Sequence, residues 1–188
     1  MAGIVTFVLV DPLTHLLVAA RDGDRDALGE LVGRTQPDVW RFCASIVGVD
    51  GADDAAQETY LRAWRSARGF REEASAKTWL LAIARRVCWD QAKKRGTQAT
   101  RLAAAAPILA RASVVDHGEH LALEDLVARL QPERRSAFFL TQVLGLSYQE
   151  AAEVCDCPVG TIRSRLARAR ADLIDAVADN DLGEAHPG

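Results

Sequence analysis

Residues 145–173, GLSYQEAAEVCDCPVGTIRSRLARARADL, decide how this chain is read. Ser147 stands where a helix N-cap is wanted, and Glu150, three residues on, can reach back to close a capping box. Ala151, Ala152 and Val154 give the short helix that follows an apolar side. Pro158 and Gly160 punctuate a turn, and a second helix runs to about Asp172. Two helices joined in this way make a helix-turn-helix. Residues 158–171 hold four arginines and no acid, in a chain of formal net charge −3. Basic charge concentrated against the overall balance predicts a phosphate-facing surface.

On a helical wheel, Ile162, Leu166, Ala169 and Leu173 of the second helix fall on one stripe, which is the core side. Opposite lie Gly160, Ser164, Ala167 and Ala171, with Arg163 and Arg168 flanking them. Small residues at the crest let such a helix sink into a major groove. There Arg can read guanine bidentately and Ser can donate or accept at a base edge. Arg165 and Arg170 lie nearer the buried stripe and suit phosphates or local acids. The plainer alternative is a surface helix that its arginines merely solvate.

Outward from this motif, nearly every periodic stretch has helical period and none alternates as a strand, so the fold class is all-α. Five helices are expected in the first half: one from Leu13 to Arg21, one capped by Asp24, and one opened by Pro37. The fourth is capped by Asp53 and runs to about Arg68; the fifth is capped by Ser75, with Leu80, Ile83, Ala84 and Val87 inward. Residues 96–118 lose this pattern and read as a flexible linker. Helical period returns from Glu119, and Pro132 opens a helix that Gly145 ends. Two small helical domains are therefore expected, at 13–95 and 119–177, with residues 178–188 a disordered tail that has no core to join.

The chain's 188 residues, 49% of them apolar, suffice for one ordinary core or two small ones. The apolar run at 4–10, IVTFVLV, spans seven residues, lacks a basic flank and is followed by Asp11 and Pro12. It is too short to insert in a membrane and unlike a signal peptide. An extension and a partner-binding segment are both open readings of it. Cys43 and Cys88 read as small core residues. The Cys155-x-Cys157 and His117-x-x-His120 pairs do not match the usual zinc-knuckle spacing, so no metal is expected. Nor is any cofactor or catalysis expected, since there is no Gly-rich phosphate loop and no triad-like arrangement.

Charge is segregated in the first half. Residues 50–58 carry Asp50, Asp53, Asp54 and Glu58 with no basic residue; residues 85–95 carry five basic residues against Asp90 alone. On the fourth helix Asp54, Gln57, Glu58 and Leu61 share a face by their i, i+3, i+4, i+7 spacing. Acids early in a helix answer its macrodipole, and the same strip would dock a basic partner helix; both readings stand on spacing alone. On the fifth helix Thr78, Ala82, Arg85, Arg86, Trp89 and Lys93 lie opposite the apolar line. A tryptophan among basic residues suits stacking on unpaired bases, the competing reading being that Trp89 packs on a neighbouring helix. Trp79, close to the buried line, reads as core.

In this order, ADDAAQETYLRAW at 52–64, FREEASAKTWLLAIARRVCWDQ at 70–91 and GLSYQEAAEVCDCPVGTIRSRLARAR at 145–170 resemble the extracytoplasmic-function (ECF) class of bacterial sigma factors. The resemblance covers all but about the first dozen and last ten residues. It implies binding to core RNA polymerase and to promoter DNA, in the cytoplasm and without membrane insertion. An anti-sigma protein, which holds many members inactive, becomes a candidate partner. Carried over, Asp54, Gln57, Glu58 and Leu61 would grip the coiled-coil clamp of the polymerase's largest subunit. Arg85, Arg86, Trp89 and Lys93 would hold the melted −10 element, with a flipped base beside the 70–77 loop. Arg163, Ser164 and Ala167 would read the −35 duplex, with Arg165 and Arg168 in support. Ala167 offers only a methyl group. A stand-alone regulator of the LuxR type is the alternative, to which the docking strip and the Trp/Arg face are foreign.

Overall fold

The computed structural model describes residues 11–95, 126–127 and 129–184. The apolar run at 4–10, the expected linker at 96–118, the first residues of the second domain, His117, His120 and residues 185–188 lie outside that range. The described residues contain helices and turns and no strand.

Helix α1 (Pro12–Arg21) starts where the Asp11 carboxylate accepts the Thr14 N–H at 3.2 Å. It stops before Gly23, whose φ of +109° suits glycine. Helix α2 (Arg25–Val47) is capped by Asp24, which accepts the N–H groups of Asp26 and Ala27. It runs straight through Pro37, so the two helices expected there are one. The proline removes one backbone hydrogen bond, but Leu31, Thr35, Val39 and Phe42 are buried on one stripe either side of it. That shared packing outweighs the lost bond.

Helix α3 (Val49–Ser66) begins at Gly48 rather than at Asp53. The Asp53 carboxylate instead accepts the Trp40 indole N–H at 2.7 Å. One 3₁₀ turn, Ala67–Gly69, closes α3. Ser75 caps α4 (Ala76–Arg95) as expected, its hydroxyl accepting the Thr78 N–H at 3.1 Å.

In the second half, α5 (Pro132–Phe138) continues into a π turn, Phe139–Val143, and the chain reverses at Gly145, whose φ is +71°. Helix α6 (Tyr148–Cys155) and helix α7 (Val159–Glu184) form the helix-turn-helix. Helix α7 passes its expected end near Asp172 and runs to Glu184, through the first part of the expected tail. Lacking a core does not end a helix when no proline intervenes; Ile174 is 68% exposed and still helical.

The two halves lie against each other. One buried cluster joins Val39, Phe42 and Val87 of the first half to Leu140, Ile162 and Leu166 of the second. Phe42 and Phe139 approach with ring centroids 6.4 Å apart, and the Lys77 ammonium donates to the Leu144 carbonyl at 3.1 Å. Contact runs between α2 and α5 and between α4 and α6. A smaller core, with Leu17, Leu31, Phe70 and Leu80, belongs to the first half alone. Among the described residues no helix is long and apolar enough to cross a membrane.

Candidate functional site

The capping box at the start of α6 forms in both directions. Ser147 Oγ accepts the Glu150 N–H at 3.2 Å, and Glu150 Oε2 accepts the Ser147 N–H at 2.8 Å. Ala151, Ala152 and Val154 are buried as their spacing predicts. The reversal itself falls to Asp156, which takes a left-handed φ of +52°. A short polar side chain tolerates that conformation. Gly160, expected to punctuate the turn, lies inside the first turn of α7, exposed and with open space beside it.

Helix α7 presents the two faces that the wheel predicts. Ile162, Leu166 and Ala169 are buried at 1% exposure or less, while Arg163, Ser164, Ala167 and Arg168 are all exposed. The Ser164 hydroxyl donates back to the Thr161 carbonyl at 2.9 Å, which leaves its oxygen lone pairs outward as acceptors. Arg165 is half-buried and turned toward the motif's own turn, its Nη1 lying 3.6 Å from Cys157 Sγ. Arg170 is exposed.

The basic face of α4 is different. Arg86 and Lys93 are exposed, but Arg85 and Trp89 are only partly so, because α6 packs against α4. The Arg85 guanidinium stands over the Trp89 ring, 5.4 Å from its centroid. Arg85 Nε and Trp89 Nε1 are buried donors with no hydrogen-bond partner among the described residues. Arg85 also lies close enough to Cys155 to oppose the upward push that burial gives that thiol's pKa. Thr78, expected on this outer face, is instead 2% exposed and bonded to Ser75. Trp79 packs on Phe70, ring centroids 5.3 Å apart. The loop before α4 is tied to α1: the Ala76 N–H donates to Thr14 Oγ1 at 2.9 Å, and Arg21 pairs with Glu72 at 3.8 Å.

The acidic strip on α3 is one continuous surface. Asp54, Gln57 and Leu61 are exposed and Glu58 partly so. Glu58 accepts from Arg62 at 2.7 Å, and Arg62 reaches Asp90 of α4 at 2.9 Å, so Glu58 is held in place. Trp64, 50% exposed, carries the same face one turn further. The sequence places Trp64 on the same side of this helix as Leu61, by its i+3 spacing, but the expected docking strip stopped at Leu61. No cluster of His, Cys, Asp and Glu suited to a metal occurs among the described residues.

Known proteins carry the same plan. Residues 31–98 match the family described as Sigma-70 region 2, and residues 120–173 match Sigma-70, region 4. The ECF RNA polymerase sigma factor SigC of Mycobacterium tuberculosis is 43% identical over 179 residues, 92% of this chain and 95% of that protein. The structure of CnrH in complex with the cytosolic domain of CnrY superposes with a TM-score of 0.70 at 26% identity, covering 91% of this chain and 99% of that one. The sigma factor RpoE of Bartonella quintana, in complex with the anti-sigma factor NepR, gives 0.69 at 26% identity, covering 80% and 96%. A stand-alone regulator is not favoured, because the region 2 match takes up the first half. The chain belongs to the ECF sigma factors and directs promoter-specific transcription with RNA polymerase.

Proposed function

We propose that the two halves divide the promoter between them. Helix α7 enters the major groove of the −35 duplex, with Arg163 and Ser164 at base edges, the Ala167 methyl against a thymine, and Arg165 and Arg168 at phosphates. The face of α4 holds the melted −10 strand, Trp89 stacking on an unpaired base while Arg85, Arg86 and Lys93 follow the backbone. Asp54, Gln57, Glu58 and Leu61 dock on the clamp of the polymerase's largest subunit. The protein acts beside the polymerase in the cytoplasm as an initiation factor without catalysis of its own. An anti-sigma protein is a fitting regulator, since the RpoE relative is held by one.

The observation that carries this reading is the exposed crest of α7, with Arg163, Ser164 and Ala167 outward over the buried Ile162, Leu166 and Ala169. The two partnerless donors at Arg85 and Trp89 support the −10 assignment, because a phosphate or base carbonyl supplies the acceptor they lack. In a reconstituted holoenzyme, permanganate should mark unpaired thymines in the −10 element. Trp89→Ala should lower that reactivity severalfold while binding to a −35 duplex by the holoenzyme holds. Unchanged opening removes Trp89 from the assignment.

A further inference from the structure

A groove of about 340 Å³ lies between α1, α2 and α3, walled by Leu17, Leu28, Val32, Leu61 and Trp64. Among the described residues no charged side chain lines it. Leu61 and Trp64 are 45% and 50% exposed there, whereas Leu17 beneath them is 4% exposed. Single exposed apolar residues need no explanation, but two large ones on an uncharged groove form a patch of the kind that takes a partner.

We propose that residues 4–10 of the same chain, IVTFVLV, occupy this groove and cover Leu61 and Trp64. Six of these seven residues are apolar and none is charged, which matches the lining. In extended form Val5, Phe7 and Leu9 point to one side. A dry cavity of about 150 Å³ holds one benzene, so the groove has room for about two or three such side chains. Reach is sufficient. The run ends at Val10, next to the Asp11 cap of α1, and Leu17 lies six residues along that helix. Six helical residues span about 9 Å, whereas seven extended residues span about 23 Å.

Gln57 and Leu61 line the groove and also belong to the proposed polymerase strip. Docking on the clamp therefore displaces the segment, and segment and polymerase compete. That competition rests on the docking reading given above; occupancy of the groove does not.

The test uses the whole chain. Trp64 emission is obtained as the difference between each protein and its Trp64→Phe counterpart. Two changes remove the occupant: deletion of residues 4–10, and Phe7→Ser with Leu9→Ser, which keeps the length. Each should move Trp64 emission to longer wavelength and raise binding of an apolar dye, at every protein concentration and with helical circular dichroism retained. Emission and dye binding that ignore both changes overturn the proposal. So does a shift that follows protein concentration together with a dimer in sedimentation, which would seat a second copy in the groove. Affinity for core polymerase separates the two readings. If the segment fills the groove nine-tenths of the time, its removal tightens apparent binding about tenfold. A Trp64 shift without tighter binding upholds occupancy and removes the docking strip.

Discussion

Arg163 and Arg165 are two residues apart on α7 and stand in different surroundings. Arg163 projects from the crest, where bidentate pairing with a guanine is open to it; Arg165 leans back toward Cys157. Arg163→Ala should cost about 1–3 kcal/mol of discrimination at one upstream base pair. Arg165→Ala should weaken binding evenly across sequences and lower the salt slope by about one. Holoenzyme binding to a panel of single-base promoter variants at several salt concentrations distinguishes these outcomes. Tyr60 has a different part. Its hydroxyl shares a 2.8 Å hydrogen bond with Thr35, and burial pushes its pKa up to about 12. Above pH 10 an unfolded chain sheds that proton while the folded one keeps it, so stability falls between about pH 10 and pH 12. Tyr60→Phe should remove this limb of a denaturation curve, and an unchanged limb would assign it to other groups.

At the scale of elements, the capping box explains why an eight-residue helix holds its place. Ser147→Ala removes a cap hydrogen bond and should lower stability by about 1 kcal/mol in urea titration, with no change in secondary-structure content at neutral pH. This element was legible in the sequence because caps are local: Ser147, Glu150 and Ser75 all act within three residues. The two faces of α7 were legible for the same reason, since periodicity alone separates Ile162 and Leu166 from Arg163 and Ala167. Where tertiary packing competes with local signals, the reading failed. Pro37 looks like a helix start but lies inside α2, because the apolar stripe from Leu31 to Phe42 spans it. Asp53 looks like a cap, yet its carboxylate is taken by Trp40 from another helix. Spacing puts Trp64 on the side of Leu61, but periodicity does not tell whether that side is covered, and its exposure shows that it lengthens the α3 strip.

For the whole molecule, the arrangement of the halves matters most. The shared cluster around Phe42, Val87, Leu140 and Ile162 draws α6 over α4 and partly covers Arg85 and Trp89, while the crest of α7 stays open. On the proposed −10 assignment, stacking of a base on Trp89 requires α6 to move aside, which would link promoter melting to separation of the halves. No local pattern announces such a contact, since it joins residues about a hundred positions apart across 96–118. On the proposed division of the promoter, the crest of α7 is open while the α4 face is partly covered, so the chain would need polymerase to hold the halves on their separate elements. Run-off transcription by purified core polymerase on a cognate promoter tests this most directly. With the chain present a defined transcript should appear, with core alone it should not, and Asp54→Ala combined with Glu58→Ala should reduce it severalfold while the fold is retained. A chain that binds duplex promoter DNA tightly without polymerase, and never supports initiation with it, would contradict the account.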